Sequence, residues 1–357
     1  MAKIHPQVIN LLNRPQMVQR TEEWFLARKT RITASEIGSI LGVNPYKSKN
    51  KYWIEKKCQL MNVPIERKGT FTTEHGVKYE PVIQQMIREQ HKDIFVDEEG
   101  KPKDPLFEFG LIPHPTIAFL GASPDGILYN GRMVEIKCVV SREITKNEVV
   151  PYYYAQVQTQ LECCGLDECE FTECKLLEYK SYNDFCLDID NETNNIWYNV
   201  FNKKKGIVLQ KTNNEYVYID PMTIDINILP TNKEELNDFL VNVYDIYNKN
   251  VIKNINYWYC ENFSMKLIRR NQSYIDKMVD TCGKFWDTLK KDINEVIKCE
   301  DDLKKYVPYI FSKPYFFENF TIDNLVVKNT KKRTLDTTNE EPQDNGKKFF
   351  FNLTKHH

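Results

Sequence analysis

The chain has 357 residues, of which 41% are hydrophobic, and a formal net charge of −1 at neutral pH. This length and hydrophobic content suit a globular protein with one large domain or two ordinary ones, and the charge excludes a protein that is basic over its whole surface. No run approaches the roughly eighteen apolar residues of a membrane span, and the N-terminal segment lacks a signal-peptide core. We therefore expect an intracellular, non-secreted protein, and the uneven spacing of its ten cysteines agrees.

Basic residues are concentrated at the beginning of the chain. Residues 1–70 contain 13 lysines and arginines against 5 aspartates and glutamates, whereas the remainder is acidic. This part of the protein would suit a polyanionic partner. An ordinary solvated, charged surface is the alternative, and charge bias alone leaves both interpretations open.

Helical patterns dominate the first part of the chain. They predict helices over 22–29, 36–41, 49–60 and 73–91. Thr21 is expected to cap the first of these helices, Thr33 or Ser35 the second, and Gly42 closes the second. Pro81 is expected to kink the last helix or to mark its first strong turn.

Alternating apolar and polar residues then predict a group of strands. These strands cover 106–112, 116–122, 126–129 and 132–140, and they are followed by a helix over 152–164, a strand over 168–179, a strand over 264–271 and a helix over 273–297. The order of elements predicts an α/β (α+β) core in which a central mixed β-sheet is flanked by helices.

One predicted hairpin carries two carboxylates and a lysine. Pairing of residues 121–138 around an Asn-Gly turn puts Asp125 beside Glu135 on the adjacent strand, where like charges repel. A divalent cation would offset that repulsion, and carboxylates with the carbonyl oxygen of Ile136 suit Mg²⁺ or Mn²⁺ rather than Zn²⁺. Lys137 would position or deprotonate a water for attack on a phosphodiester. A surface hairpin with an ordinary Glu/Lys pair is the alternative.

The hairpin motif, Pro-Asp followed by Glu-x-Lys, resembles the PD-(D/E)XK nuclease active site. Five motifs also resemble, in the same order, those of the lambda exonuclease or YqaJ-like viral recombinase family: 24–42, 75–81, 121–126, 134–138 and 152–161. The resemblance covers about 20–179 and returns weakly at 267–278. It implies a restriction-endonuclease-like core and a Mg²⁺-dependent DNA exonuclease that digests duplex ends from 5′ to 3′, leaving 3′ single strands for recombination or repair.

The resemblance also implies a metal site. In the family, the aspartate of the Pro-Asp-Gly motif and the glutamate and lysine of Glu-x-Lys form the metal and water site, which here are Asp125, Glu135 and Lys137. The carbonyl oxygen of Ile136 completes the hairpin ligands, and Glu80 corresponds to the family's helical glutamate near the metals. Two Mg²⁺ ions are implied, and Mn²⁺ is expected to substitute.

Two further groups of residues carry roles implied by the resemblance. Gln156 matches the helix glutamine that orients the water or the scissile phosphate, and Gln160 lies one turn later on the same face. Arg28 and Ser35 match the residues that bind the terminal 5′-phosphate. A guanidinium donates two parallel hydrogen bonds to phosphate oxygens, and a serine at a helix N-terminus adds a hydroxyl, so both residue types suit a phosphate site.

The domain organisation follows from the same resemblance and from composition. It comprises an N-terminal lead (1–19), a nuclease core (20–180), an insertion or subdomain (181–257), the final strand and helix of the core (258–298) and a partly disordered C-terminal extension (299–357). The insertion is rich in Asn, Asp, Lys and Tyr, and it contains one clear predicted helix.

Partners are implied less directly. The family implies double-stranded DNA ends, a single-strand annealing protein and a ring-shaped trimer, which the insertion would obstruct. Phe349 and Phe350 loosely match a peptide that binds a sliding clamp. The bias toward Asn, Lys, Ile and Tyr suggests an AT-rich genome, and with the family it suggests a large DNA virus or a phage, with the protein acting in the host cytoplasm or at a viral replication site. An endonuclease or structure-specific nuclease, and a catalytically idle DNA-binding or host-interaction protein, remain as alternatives.

Overall fold

The computed structural model describes residues 3–61, 63, 69–145, 148–190, 192–225, 227–247 and 251–296. The helices are α1 (Pro6–Leu12), α2 (Glu22–Lys29), α3 (Ile37–Ile40), α4 (Lys49–Leu60), α5 (Phe71–His91), α6 (Pro151–Cys164), α7 (Tyr182–Leu187), α8 (Lys233–Tyr247) and α9 (Gln272–Val296). The strands are β1 (Ile32–Thr33), β2 (Leu106–Phe107), β3 (Ile112–Pro113), β4 (Leu120–Ala122), β5 (Gly126–Leu128), β6 (Met133–Cys138), β7 (Glu168–Glu178), β8 (Lys205–Lys211), β9 (Tyr216–Ile219) and β10 (Ile252–Arg269).

The strands form two sheets. Seven strands are arranged in the order β2-β5-β6-β7-β10-β8-β9, and a smaller sheet has the order β1-β4-β3. The pairing of β6 with β7 is parallel, whereas the other pairs of the large sheet are antiparallel. The predicted central mixed sheet flanked by helices is therefore confirmed. None of the helices in the described residues combines the length and the apolar character that a membrane crossing needs.

Capping residues explain why the predicted helices form. The side chain of Thr21 accepts a hydrogen bond from the backbone of Trp24 at the start of α2, and Ser48 caps α4 in the same way. Thr33 and Glu36 form a capping box around a short 3-10 turn that leads into α3. The helix predicted over 73–91 is confirmed, begins two residues earlier and continues through Pro81.

The hairpin strands separate two kinds of side chain. Val134 and Ile136 of β6 pack in the apolar cluster beneath α5. Met133 faces the other side, where Val157 of α6 joins the same cluster. Because side chains alternate along a strand, Glu135 and Lys137 also face α6, as the alternation of the sequence predicts.

Two predicted strands are shorter than expected. The segment 106–112 divides into β2 and β3, which belong to different sheets. The chain crosses between the sheets at Gly110, where the Met17 carbonyl comes too close for any Cβ. The segment 116–122 forms a strand only at β4, because the His114 ring accepts hydrogen bonds from the backbone of Thr116 and Ile117 and turns the chain.

The segment predicted as an insertion, 181–257, has its own apolar cluster around Trp197. Its strands β8 and β9 nevertheless continue the large sheet, because β10 pairs with β7 on one side and β8 on the other. The predicted strand 264–271 is the end of this 18-residue strand, which crosses the expected boundary at 257. The extension 299–357, with Phe349 and Phe350, lies outside the described residues.

Candidate active site

The β5–β6 hairpin brings Asp125 and Glu135 side by side. Gly126 pairs with Val134, so the next residues outward, Asp125 and Glu135, are level on adjacent strands. The Asp125 Oδ2 atom accepts a hydrogen bond from the backbone nitrogen of Ile136 at 2.7 Å. This bond fixes the Asp125 carboxylate beside the backbone of the Glu-x-Lys motif.

Glu135 is buried within a network of nitrogen donors. Lys137 Nζ donates to its Oε1 atom, and so does Gln156 Nε2 at 2.5 Å. Gln160 Nε2 donates to its Oε2 atom at 2.6 Å, and the Gln156 carbonyl oxygen accepts from Lys137 at 3.3 Å. The glutamines of α6 therefore orient the carboxylate and the lysine of β6.

Glu80 approaches the same region from α5. Its Oε2 atom lies 4.0 Å from the guanidinium of Arg20. Arg20 has a positive φ of 67°, a conformation that costs energy for a residue with a side chain. One turn after Glu80, Gln84 donates to the Asp125 carbonyl oxygen at 3.1 Å, so α5 supports the hairpin directly. Neither Arg20 nor Gln84 is predicted from the sequence, because isolated polar residues give no spacing signal.

The charges at this site do not balance. Burial raises the pKa of Asp125 well above its usual range, and the neighbouring carboxylates of Glu135 and Glu80 raise it further. Burial also raises the pKa of Glu80, against the attraction of Arg20. Burial opposes the charge on Lys137, but Glu135 and Asp125 outweigh it and the pKa of Lys137 is raised. Excess negative charge is what a bound cation would neutralise.

The donor set fits a hard divalent cation. Asp125, Glu135 and Glu80 supply carboxylate oxygens, which Mg²⁺ and Mn²⁺ prefer. As these side chains are positioned, no three Asp, Glu, His or Cys side chains within the described residues converge on one point. The carboxylates do not converge because the oxygens of Glu135 are occupied by Lys137 and by two glutamines of α6, and because Glu80 points to Arg20. The predicted ligands thus lie together but do not surround a common centre.

Arg28 and Ser35 also lie together. The Arg28 guanidinium donates to the Thr33 hydroxyl at 3.0 Å, and the Thr33 and Ser35 hydroxyl oxygens are 3.5 Å apart. The guanidinium also lies 4.2 Å from the ring centroid of Trp24. Ser35 is exposed and Arg28 is half-buried, whereas Thr33 is buried, so the group presents one cation and one hydroxyl to solvent.

A buried ion pair supports this group from below. Lys56 is 1% exposed and donates to the Arg28 carbonyl oxygen at 3.1 Å, with its Nζ atom 3.6 Å from Glu36. Burial opposes ionisation of Glu36, but Lys56, the hydrogen bonds from Thr33 and the charge of Arg28 together outweigh it, and the pKa of Glu36 is lowered. The sequence does not predict the burial of Lys56, because a lysine in an amphipathic helix is usually solvated.

Trp24 connects the Arg28 group to the hairpin that carries Asp125 and Glu135. Its indole nitrogen donates to the Ser123 hydroxyl at 3.3 Å, two residues before Asp125. In addition, Thr33 of β1 pairs with Gly121 of β4, on the segment that leads to Asp125. Trp24 and Thr33 therefore connect the Arg28 group directly to the segment that carries Asp125.

A comparison with known families agrees with these observations. Residues 23–167 match the family model of the YqaJ-like viral recombinase domain. The resemblance predicted from the motifs is therefore confirmed over this segment. The YqaJ-like segment contains Arg28 and Ser35, the hairpin of Asp125, and α6 with Gln156.

Known proteins similar to this chain include a viral one. An uncharacterized protein of Acanthamoeba polyphaga mimivirus is 28% identical over 315 residues, covering 76% of this chain and 52% of that protein. The chain thus spans about half the length of that relative.

Solved structures with some similarity include two exonucleases. LHK-Exo, an alkaline exonuclease from Laribacter hongkongensis, is 20% identical, with 81% of this chain and all of that chain covered and a TM-score of 0.44. A phage-related exonuclease from Haemophilus somnus is 12% identical, with 74% and 96% covered and a TM-score of 0.37.

Proposed function

We propose that this protein is a divalent-metal-dependent DNA exonuclease of the lambda exonuclease type. It would begin at a 5′-phosphorylated end of duplex DNA and digest that strand from 5′ to 3′. The observation that carries the proposal is the pair of adjacent carboxylates, Asp125 and Glu135, held next to Lys137 with excess negative charge. The match of residues 23–167 to the YqaJ-like viral recombinase domain supports the same chemistry.

Asp125, Glu135, Glu80 and the carbonyl oxygen of Ile136 would hold the metal. Mg²⁺ is the expected ion, Mn²⁺ is expected to substitute, and we propose two ions in the active state. When bound, the metal supplies an activated water and neutralises charge on the scissile phosphate. The Glu80 carboxylate now lies 4.0 Å from the Arg20 guanidinium. It would have to turn from Arg20 toward Asp125 and Glu135 to complete the set of ligands.

The other side chains position the reacting groups. Lys137 is held as an ammonium by Glu135 and Asp125, so we assign it to orienting the attacking water or the phosphate rather than to removing a proton. Gln156 contacts both Glu135 and Lys137, and it would keep this pair aligned as the substrate enters. Gln160, which is fully buried, would fix the second oxygen of Glu135.

The Arg28 group would select the end of the DNA. A terminal 5′-phosphate carries more charge than an internal phosphodiester, and a guanidinium binds it with two parallel hydrogen bonds. Ser35 would add a hydroxyl contact at the same place, next to the Thr33 hydroxyl that holds Arg28. The remaining 3′ single strand would serve recombination, with an annealing protein as partner, in a viral setting and in a trimeric ring. These last assignments rest on the family alone.

End-labelled duplexes test the proposal. We expect the wild type to degrade a blunt duplex with a 5′-phosphate in Mg²⁺ and to be inactive in EDTA. Asp125→Asn should remove cleavage while leaving DNA binding within about twofold, because the amide keeps the shape of the carboxylate but not its charge. Cleavage by Asp125→Asn at the wild-type rate would contradict the site, and internal cuts would favour an endonuclease.

A second pair of variants tests recognition of the end. Arg28→Ala should reduce the preference for 5′-phosphate over 5′-hydroxyl ends by about 10- to 100-fold, as expected for a lost charge-assisted hydrogen bond. Arg28→Lys keeps the positive charge but cannot form two parallel hydrogen bonds, so its preference for 5′-phosphate ends should lie between those of the wild type and Arg28→Ala. An unchanged preference in Arg28→Ala would remove Arg28 from the proposed phosphate site.

A further inference from the structure

Three tyrosines form a continuous aromatic surface from the acidic site to the solvent. The Tyr153 ring centroid lies 4.7 Å from Lys137 Nζ. The Tyr152 and Tyr153 ring centroids are 4.3 Å apart, and the Tyr46 ring meets the Tyr152 ring edge-on at 5.9 Å. Tyr152 and Tyr153 are half-buried, whereas Tyr46 is 76% exposed.

Tyr46 is exposed although the loop that carries it is firmly built. Its backbone nitrogen donates to Asn44 Oδ1 at 2.9 Å, and Asn44 Nδ2 donates to the Ser39 hydroxyl at 3.2 Å. The backbone nitrogens of Val43 and Asn44 both donate to the Gly38 carbonyl oxygen. The backbone that carries Tyr46 is thus held in place while the ring stays exposed, so a bound ligand would not have to order the loop.

Two cationic side chains lie near these tyrosines, one in space and one in sequence. The Arg142 guanidinium is 5.7 Å from the Tyr153 ring centroid, with its side chain 29% exposed and paired with Glu173. Lys47 follows Tyr46 in sequence and is one-third exposed, paired with Glu55. Aromatic faces beside cations are the usual surface for single-stranded nucleic acid, because bases stack and phosphates are neutralised.

We propose that Tyr46, Tyr152 and Tyr153 bind unpaired nucleotides of the DNA strand next to the bond that is cut. Tyr46 stacks on a base, Tyr152 and Tyr153 line the path to Lys137, and Arg142 contacts a phosphate. Every base has an aromatic face, so this binding is tolerant of sequence. The inference rests on the proposed nuclease function, because the path ends at the acidic site.

The test is binding of a fluorescein-labelled oligothymidylate in EDTA, where no cleavage occurs, followed by fluorescence anisotropy. Tyr46→Ala should weaken binding by about 5- to 100-fold, which corresponds to the loss of one stacked base. Tyr46→Trp should bind as well as the wild type, because indole also stacks. The matched control is Phe201→Ala, since Phe201 is 78% exposed in the segment 181–257 and should have no effect.

Two results would overturn the inference. One is wild-type affinity in Tyr46→Ala, and the other is an equal loss of affinity in Phe201→Ala. A loss of affinity for blunt duplex alone would also contradict it, because the proposed ligand is unpaired. Failure of the wild type to cut DNA in Mg²⁺ would contradict the nuclease function instead, and the binding assay separates these outcomes.

Discussion

At the scale of single residues, the protein keeps carboxylates in places that disfavour their charge. At the candidate site, burial and the neighbouring carboxylates of Glu135 and Glu80 raise the pKa of Asp125. Asp220 is a second case, away from that site. Its side chain is fully buried, and the Oδ1 atom accepts hydrogen bonds from the backbone of Met222 and Thr223. The Oδ2 atom has no hydrogen-bond partner among the described residues.

Asp220 should make stability depend on pH. Burial raises the pKa of Asp220 from 3.8 to about 6. A raised carboxyl pKa means that the folded state holds the proton more tightly, so stability falls as pH rises through this interval. The advantage of Asp220→Asn over the wild type should therefore grow by up to about 3 kcal/mol between about pH 4 and about pH 8.

Urea denaturation at the two pH values measures this difference. The control is Asp238→Asn, because Asp238 is exposed on α8 and should show no comparable growth. A constant difference between Asp220→Asn and the wild type would contradict the buried ionisation.

At the scale of elements, α3 and α6 approach closely enough to require a glycine. A Cβ atom on Gly38 would lie 2.7 Å from the Tyr152 Cβ atom. The Tyr152 Cβ atom is fixed to the backbone and cannot move aside without moving α6. Gly76 in α5 is the opposite case, because a Cβ atom there would meet nothing within 4 Å. Packing alone therefore distinguishes two glycines that look alike in the sequence.

The two glycines predict changes of opposite sign. Gly38→Ala should lower the free energy of unfolding by about 1–3 kcal/mol through overpacking. Gly76→Ala should raise it by about 0.5–1 kcal/mol, because alanine favours the helix. Denaturant titration of both variants checks this, and a stabilising Gly38→Ala would show that α3 and α6 are farther apart.

Sequence patterns predicted the long helices and the hairpin well, and for physical reasons. Thr21 and Ser48 cap their helices locally, and the alternation around Glu135 is a local property of one strand. Short strands were predicted less well, since β2 and β3 are set by distant contacts such as that of Met17 with Gly110. The burial of Lys56 depends on partners far apart in sequence, so no local pattern indicates it.

At the scale of the whole molecule, one sheet connects the segment 181–257 to the candidate site. The strand β10 pairs with β7 and β8, and Trp258 on β10 is fully buried under α5 with Val208 of β8. A composition shift suggests a separate unit, but it carries no information on strand pairing. The predicted domain boundaries remain predictions, whereas the sheet itself is continuous.

This continuity predicts a single cooperative unfolding transition. The shared strand β10 cannot lose β8 without exposing Trp258, so the two parts should unfold together. Circular dichroism and tryptophan fluorescence should report the same midpoint in urea. Two resolved transitions would show that the segment 181–257 unfolds as an independent unit.

The central claim is that the acidic hairpin binds a divalent metal, and crystals soaked in Mn²⁺ test it most directly. We predict an anomalous density peak bonded to carboxylate oxygens of both Asp125 and Glu135, with Lys137 beside it. The account would be contradicted if saturating Mn²⁺ gave no peak there and left Lys137 and Gln160 on Glu135 as they are now.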